Sequence, residues 1–388
     1  MLARRLTRLL VVALLVSAIA PLPAAHAGAP PPLSNPLYGF PLPGDYVSPA
    51  AAASAGLSLA DRWLGESVFE NPAATVSQGI QVSGVFQRLS RQDLAAKNRN
   101  IDQTQGYLDG AGVALSLPTK RWGFSVYAWQ PVLRLEQQGY ITGPQLTPSA
   151  VEQQALQREI RAGAALSRSM GEVVRVGVAG EWVHRDDSYE AHNKSGPLSP
   201  EDNVLQFKGE AWGGSMGFSW AKDPDRPWGT WFGAAIHYGA ELKVTSSLDS
   251  RSLDTTIVAA IEGTREAEWT GGVSGRVTVA PATRVVVGVS VRTGADWKGF
   301  DFGTGTGAGY AIGLDWKDPE LPWGARFGVG QETDPGAIER KAGLLSAGFS
   351  WVSGDLVIDV GILHRNLARA GSPSSSDDRA VASVKVAF

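Results

Sequence analysis

The sequence contains no cysteine, which excludes disulfide bonds and thiol chemistry. Its 35 Lys and Arg residues are balanced by 38 Asp and Glu residues, so it lacks the basic excess that a nucleic-acid partner requires. It also lacks the strong hydropathy of a bundle of membrane helices, because its mean hydropathy is −0.08, and the high net charge of a disordered chain. The residues in excess are 46 glycines and 13 tryptophans. Together they indicate many tight turns and many amphipathic anchors.

The N-terminus has the pattern of a signal peptide. Arginines precede the apolar run Leu9 to Ala20, and Ala25-His26-Ala27 supplies the small residues that a signal peptidase reads. The apolar run is shorter than the ~20 residues that a helix needs to cross a bilayer, and no later run is longer. We therefore expect residues 1–27 to be removed on export and the mature chain to have no helical anchor.

Residues 28–77 and 78–388 differ in composition and in the periodicity of their apolar residues. The first range is rich in Pro, Ala and Gly and has no sustained period. A segment of this length and composition fits a plug inside a barrel. After Gln78, apolar and polar residues alternate to the end of the chain, which predicts strands with one apolar face. One such run contains Val285, Val287, Val289 and Val291.

The predicted strands number about 14, an even number as in bacterial outer-membrane barrels. Their connections alternate in length. The short connections are 118–121, 170–171, 222–228, 281–283, 317–323 and 353–354, and the long polar ones are 91–104, 136–154, 187–204, 244–263 and 367–378. Short periplasmic turns and long external loops are typical of a transmembrane barrel, and a soluble sandwich has no reason to alternate so strictly. The sequence thus predicts an all-β fold, a transmembrane antiparallel β-barrel of about 14 strands.

Aromatic residues support this fold. Tryptophans at or beside the short turns would lie at the lipid headgroup level, and they are Trp122, Trp220, Trp228, Trp316, Trp323 and Trp351. The chain ends in Phe388 after alternating apolar residues, which resembles the signal that the barrel-assembly machinery recognises. We therefore expect a multi-pass protein of a Gram-negative outer membrane, in contact with outer-membrane lipid and lipopolysaccharide.

The segment before the first strand indicates which class of outer-membrane protein this is. Ala50 to Ala60 is rich in Ala and contains Gly56, and Asn71-Pro72-Ala73 follows shortly before the first strand. With about 14 strands and a terminal aromatic residue, this arrangement resembles the long-chain fatty acid transporter (FadL) family of outer-membrane proteins. The resemblance implies that residues 28–77 form a hatch inside the barrel and that Asn71-Pro72-Ala73 lies beside an inward kink in the third strand. It also implies that hydrophobic substrate leaves through a lateral gap at this kink into the bilayer.

Pro131 falls within the predicted third strand. Proline cannot donate to the hydrogen-bonded ladder of a sheet. Two interpretations remain open: either the strand is irregular at Pro131, or it ends there beside the external loop.

An outward aliphatic face would place charges of both signs inside the barrel, which favours internal ion pairs. The candidate ligand or hatch contacts on this luminal face are Tyr127, Trp129, Arg175, Trp231, His237, Arg292, Arg326 and Arg365. The aromatic residues suit an amphiphile better than an ion or a sugar. We expect His237 to contact the hatch and one of the four arginines to meet a carboxylate head group.

Neither catalysis nor a metal or other cofactor is expected. His184 and the two following aspartates lie at the outer end of the fifth predicted strand, as in some outer-membrane hydrolases, but without a second identifiable partner a polar rim is favoured. The predicted function is passive uptake of hydrophobic or amphipathic compounds, such as long-chain fatty acids, by a monomeric channel with hatch gating and lateral release. The alternatives are a protein-export shuttle or structural partner built on the same barrel, and a general diffusion porin.

Overall fold

The computed structural model describes residues 68–74, 80–94, 101–119, 121–141, 149–195, 199–222, 229–251, 256–298, 302–318, 320–334, 340–368 and 375–388. These residues are almost entirely β-strand, and a short 3-10 helix, Pro72–Ala74, precedes the strands. Within these ranges, no helix is long and apolar enough to cross a membrane. The predicted signal peptide, 1–27, and most of the predicted hatch segment lie outside the described residues.

Eighteen strand segments follow one another along the chain. They are β1 Gln81–Leu94, β2 Ile101–Pro118, β3 Trp122–Ile141, β4 Ser149–Met170, β5 Val174–Ser195, β6 Ser199–Ala221, β7 Trp231–Gly239, β8 Leu242–Arg251, β9 Thr256–Arg265, β10 Glu268–Ala280, β11 Thr283–Arg292, β12 Ala295–Lys298, β13 Phe302–Thr304, β14 Gly307–Trp316, β15 Trp323–Asp334, β16 Arg340–Ser353, β17 Leu356–Ala368 and β18 Ser375–Ala387.

Some consecutive segments continue one another beside the same neighbours. β6, for example, pairs with β7 over its second half and with β8 over its first half. β7 and β8 are therefore parts of one strand. In the same way, β9 continues into β10, β11 into β12, and β13 into β14. The eighteen segments therefore form 14 continuous strands, which confirms the predicted number.

The strands form a closed antiparallel barrel. β1 pairs with β18 from Gln81↔Ala387 and with β2 from Gln81↔Ser116. Closure pairs both sides of every strand, so the barrel has no open sheet edge. Gly171 and Gly354 lie in two of the tight turns with φ of 81° and 57°, a conformation that glycine adopts without the steric cost of a Cβ atom.

The alternating pattern places aliphatic side chains outside the barrel. Exposed apolar residues include Val113, Met216, Val291, Leu345 and Ile362. An apolar belt of this extent is stable against lipid hydrocarbon rather than water.

Aromatic side chains lie at both margins of this belt. Near the short turns, the ring centroids of Trp316 and Trp323 are 5.0 Å apart, and Trp323 stacks on Phe349 at 6.2 Å. Toward the opposite end, Tyr238 and Trp269 are 4.6 Å apart. Indole and phenol rings favour such positions because each combines an apolar ring with one polar group.

The prediction of long external loops is wrong, because strands extend into all five of the ranges concerned. Pairing continues, for example, up to Ile141↔Ser149, Ser195↔Ser199 and Arg251↔Thr256. Main-chain hydrogen bonds hold these hairpins where the aliphatic alternation of the sequence has already stopped. The strands therefore continue beyond the apolar belt as tall hairpins.

The third strand does not end at Pro131. β3 continues to Ile141, and Pro131 pairs with Gly110 of β2. On the β4 side, pairing passes from Trp129↔Arg161 directly to Val132↔Arg158, without a recorded pair at Gln130 or Pro131. The register is the same before and after this interval. The ladder between β3 and β4 is therefore interrupted locally at the proline, without a shift of the strands.

Candidate functional site

Four buried charges form what we call the charge ladder on the luminal wall between β10 and β17. Arg276 Nη1 lies 3.1 Å from Asp315 Oδ2. Arg326 lies 3.7 Å from Asp315 and 3.0 Å from Asp359. Trp231 covers one end of the ladder, with its ring centroid 5.3 Å from the Arg276 guanidinium. Because each arginine of the ladder contacts an aspartate and each aspartate contacts an arginine, each of the four charges is compensated within the wall, as burial requires.

Further ion pairs lie on the luminal face toward the outer end of the barrel. They are Arg161 with Glu159 and Glu181, Arg185 with Asp187, Glu268 with Arg265 and Arg292, and Arg365 with Glu332. These contacts confirm the predicted internal ion pairs. The luminal charges therefore neutralise one another to a large extent.

Residues 68–74, which we call the latch, pack against the luminal face of β4, β5 and β6. Asn71 is fully buried. Its Nδ2 donates hydrogen bonds to the carbonyl oxygens of Phe218, at 3.0 Å, and Ala234, at 3.3 Å. Its Oδ1 accepts a hydrogen bond from the backbone N–H of Ala73 at 2.9 Å. One amide side chain therefore joins the latch to two neighbouring strands of the wall.

Two side chains of the wall hold the main chain of the latch in return. Ser219 Oγ donates to the carbonyl oxygen of Ala73 at 3.3 Å. His237 Nε2 lies 2.7 Å from the carbonyl oxygen of Glu70 and is the donor, because a carbonyl oxygen only accepts. The structure thus places Asn71, Ala73 and His237 at one junction between the latch and the wall.

The latch approaches the wall where two strands carry glycine on their luminal face. A Cβ atom at Gly217 would lie 1.9 Å from Asn71 Oδ1, and one at Gly177 would lie 2.5 Å from the carbonyl carbon of Pro72. Both distances are shorter than any real carbon contact, so only glycine permits this approach. The latch therefore occupies a notch that the wall sequence provides.

Phe69 connects the latch to β3. Its ring centroid lies 5.0 Å from that of Tyr127 and 6.5 Å from that of Trp129, and both pairs are edge-to-face. Tyr127 and Trp129 are both buried on the luminal face. The two aromatic candidates on β3 are thus brought together with the latch.

Trp129 also lies across two glycines of the neighbouring strand β2. A Cβ atom at Gly110 would lie 2.4 Å from a ring carbon of Trp129, and one at Gly112 would lie 2.8 Å from another. Both glycines are on the luminal face, in alternation with the exposed Ala111 and Val113. The indole ring therefore takes the luminal space that side chains at these two positions would fill.

A groove crosses the outer face of the wall beside Pro131. Its volume is about 550 Å³, and its lining residues are Phe86, Gln87, Arg88, Gly110, Ala111, Gln130, Val132, Val360, Ala380, Val381 and Ala382. Most of these residues face outward, but Gln87, Gly110 and Val381 are buried positions of the luminal face. The groove therefore reaches the backbone of the wall at Gly110, and Gln130 and Val132 of β3 form one margin.

The four candidate arginines lie on four different strands and do not form one site. Arg292 lies 3.8 Å from Glu268, Arg326 joins the charge ladder, and Arg365 is paired with Glu332. Arg175 donates a hydrogen bond to Ser169 Oγ at 3.0 Å. Three of the four therefore already have a carboxylate partner from the protein.

Sequence reasoning did not identify the four luminal glycines, Gly110, Gly112, Gly177 and Gly217. A usable signal was present, because each stands on the buried side of an alternating strand, where glycine leaves a gap in the wall. At the outer rim, His184 Nδ1 lies 3.3 Å from Glu210 Oε1. In the part of the chain that the structure describes, no group of three potential metal-ligating side chains is present.

Comparison with solved structures identifies the fold. The toluene transporter TbuX of Ralstonia pickettii is 14% identical, with a TM-score of 0.63 over 89% of this chain and 99% of the other. The toluene transporter TodX of Pseudomonas putida is 13% identical, with a TM-score of 0.63 over 89% and 98%. A FadL homologue of Pseudomonas aeruginosa is 12% identical, with a TM-score of 0.59 over 88% and 98%. No family model and no curated protein matches the sequence. The chain has the fold of these transporters, which confirms the FadL-type resemblance at the level of fold.

Proposed function

We propose that this protein is an outer-membrane channel through which uncharged hydrophobic compounds enter the barrel and leave sideways through the groove beside Pro131. The observation that carries the proposal is the interruption of the β3–β4 ladder at Gln130 and Pro131, beside an apolar groove on the outer face. A cargo that left by this route would pass from the lumen to lipid without crossing the charge ladder. Similar structures include two toluene transporters, which supports a hydrophobic cargo.

The luminal charges favour an uncharged cargo over a fatty acid. Arg292, Arg326 and Arg365 each have a carboxylate partner within the protein. A fatty acid head group that bound one of these three arginines would have to displace its partner and leave a buried carboxylate without compensation, which is costly. An aromatic hydrocarbon needs no such exchange. Long-chain fatty acids, which the sequence pattern also indicated, are therefore the less favoured cargo.

The latch is the element proposed to gate the channel. The hydrogen bonds that join it to the wall include two from Asn71 Nδ2 and one each from Ser219 and His237. Hydrogen bonds of this kind contribute about 0.5–1.5 kcal/mol each, so the set holds the latch in place but permits its release. Movement of the latch would also move Phe69 away from Trp129 and Tyr127.

We also propose the cellular setting of the barrel, which its surface supports. The apolar belt and its aromatic margins fit an outer membrane, with lipopolysaccharide around the outer half of a monomeric barrel. Phe388 is 78% exposed, and its N–H donates to the carbonyl oxygen of Ile80 at 2.8 Å. An exposed aromatic terminus next to the β1–β18 seam is accessible to the barrel-assembly machinery.

The proposal is tested by closing the groove from outside. Ala111→Trp places a large side chain at an outward position of the groove, and Ala347→Trp, at an outward position on β16 outside the groove lining, is the matched control. Uptake of radiolabelled toluene and oleate is measured in cells that lack other hydrophobic-compound channels. We expect toluene uptake to exceed oleate uptake, Ala111→Trp to reduce toluene uptake to the level of cells without the protein, and Ala347→Trp to leave it unchanged.

Two results would contradict the proposal. Toluene uptake that is insensitive to Ala111→Trp, with the variant correctly inserted, would exclude exit through the groove. A large ion conductance of the purified wild-type barrel in planar bilayers would favour a general porin instead. Pro131→Ala serves as a further variant, because restored pairing with β4 is expected to close the interruption of the β3–β4 ladder and slow uptake.

A further inference from the structure

The interruption of the β3–β4 ladder has an outer side and a luminal side. Pairing is recorded before and after two missing steps, without a change of register. This register places Gln130 opposite Ile160 and Pro131 opposite Glu159. Gln130 and Ile160 alternate outward, whereas Pro131 and Glu159 are buried positions of the luminal face. A cargo that enters the interruption from the lumen therefore meets an apolar proline on β3 and a carboxylate on β4.

The carboxylate of Glu159 is buried and is held by an arginine. Its side chain is 2% exposed, and its Oε1 accepts a hydrogen bond from Arg161 Nε. Arg161 also binds Glu181 of β5, with 3.5 Å between Nη1 and Oε1. A buried ion pair is often no more stabilising than apolar residues of similar volume. Stability alone therefore does not account for a carboxylate at this position of the wall.

The arginines nearest to this carboxylate are bound by other acids as well. Arg185, which is opposite Glu159 on β5, lies 2.6 Å from Asp187. Arg265 of β9 is in contact with Glu268. In the described part of β4 and β5 beside the interruption, two luminal arginines thus stand against three carboxylates, those of Glu159, Glu181 and Asp187. This part of the luminal wall therefore carries an excess of negative charge.

We propose that Glu159 is a specificity-determining residue: its carboxylate, together with that of Glu181, excludes negatively charged cargo from the interruption. This inference rests on the proposed function, because it assumes that cargo leaves between β3 and β4. Steps without ladder hydrogen bonds open at lower cost than paired ones, so cargo and carboxylate meet at this point. A cargo carboxylate would be brought beside a like charge at a site shielded from water, which is strongly unfavourable. A neutral compound of the same size meets no such repulsion.

The experiment compares 4-methylbenzoate with 4-methylbenzamide, which share a carbon skeleton and differ in charge. Uptake of each radiolabelled compound is measured in cells that lack general porins and other hydrophobic-compound channels. Glu159→Gln removes the charge at almost the same volume, and Glu159→Asp keeps it. Glu332→Gln is the matched control, because Glu332 is also paired with a luminal arginine, Arg365, but lies on β15, away from the interruption. Correct assembly of each variant is verified by the shift in electrophoretic mobility on heating.

We expect the wild-type protein to take up the amide faster than the benzoate. Glu159→Gln should raise the ratio of benzoate to amide uptake roughly tenfold, which corresponds to the removal of about 1.4 kcal/mol of repulsion. Glu159→Asp and Glu332→Gln should give the wild-type ratio. If Glu159→Gln does not assemble, Glu181→Gln takes its place, because it removes the other carboxylate bound to Arg161 and should raise the ratio several-fold.

An unchanged ratio in assembled Glu159→Gln, or in Glu181→Gln where it takes its place, would overturn the inference. An equal rise in Glu159→Asp or Glu332→Gln would overturn it too, because the effect would then not depend on the charge at this position. If Ala111→Trp and Pro131→Ala still reduce toluene uptake in these cases, sideways exit stands and only the role of Glu159 is wrong. If neither variant reduces toluene uptake, the proposed function fails first, so the two failures are distinguishable.

Discussion

The luminal wall of β5 and β6 and that of β10–β17 have the same alternating backbone but opposite chemistry. On β5 and β6, glycine at positions 177 and 217 leaves a notch that another segment of the chain enters. On β10–β17, Arg276, Asp315, Arg326 and Asp359 bind one another. The charged wall is therefore complete in itself, whereas the glycine wall is complete only with the latch in place. This difference indicates that the latch can leave its notch while the barrel stays folded, whereas the charged wall cannot come apart without unfolding.

The largest effect is expected from breaking the charge ladder. Arg326→Met leaves Asp315 and Asp359 buried without the cation they share. Removing one partner of a buried pair costs about 3–5 kcal/mol, and the free energy of unfolding in lipid vesicles measures this loss. The control is Lys341→Met on β16, where the side chain is exposed and the change should be within about 0.5 kcal/mol. Equal losses in the two variants would mean that the ladder does not stabilise the wall.

A smaller effect is expected from filling the glycine notch. Gly217→Val places a Cβ atom where Asn71 Oδ1 now lies, so the latch must leave while the barrel remains intact. Overpacking of this kind costs about 1–3 kcal/mol, which corresponds to a rise of roughly 5-fold to 150-fold in the ratio of undocked to docked latch.

The undocked fraction can be measured with a single thiol, because the chain has no cysteine of its own. Ala73 is fully buried in the latch, so Ala73→Cys should react slowly with a polar maleimide in the otherwise wild-type protein and faster with Gly217→Val. Gly180→Val on β5 is the control, because a Cβ atom there meets nothing within 4 Å. Equal labelling rates in the two backgrounds would show that the notch does not hold the latch.

The smallest effect is expected at Phe69. Phe69→Leu keeps an apolar side chain but removes the edge-to-face contacts with Tyr127 and Trp129. The loss of about 0.5–1.5 kcal/mol should raise the labelling rate of Ala73→Cys only a few-fold. Phe349→Leu, on the outer face, should leave the rate unchanged. A faster labelling rate of Ala73→Cys in the Phe349→Leu background would show that a general loosening of the barrel, and not the lost contacts of Phe69, exposes the thiol.

The alternation of the sequence was sufficient to predict the barrel and its two faces. Arg276, Arg326 and Asp359 could be placed inside because every second residue of their strands is aliphatic. The same reasoning failed above the apolar belt, where the hairpin up to Ser195↔Ser199 was predicted as a loop. Pairing there depends on main-chain hydrogen bonds. These bonds do not require alternating aliphatic residues, so the sequence pattern does not reveal them.

The candidate site was predictable only in part. The family resemblance implies a junction with the wall at Asn71-Pro72-Ala73, which precedes the first strand, and the luminal position of Trp129 follows from alternation. Neither property reveals that Asn71 binds the carbonyl oxygens of Phe218 and Ala234, 147 and 163 positions away. Trp231 illustrates the same limit, since alternation predicts its luminal side but not that its ring lies beside the Arg276 guanidinium.

The sequence by itself determined the number of strands, the side on which each residue lies and the short turns, because a period of two is a local property of the chain. Only the tertiary structure decided which luminal residues meet: Asn71 with Gly217, Phe69 with Trp129, and Trp129 with Gly110. These contacts depend on the register between strands and on the closure of the barrel. Both are set by many ladder pairs acting together, and no single stretch of sequence contains them.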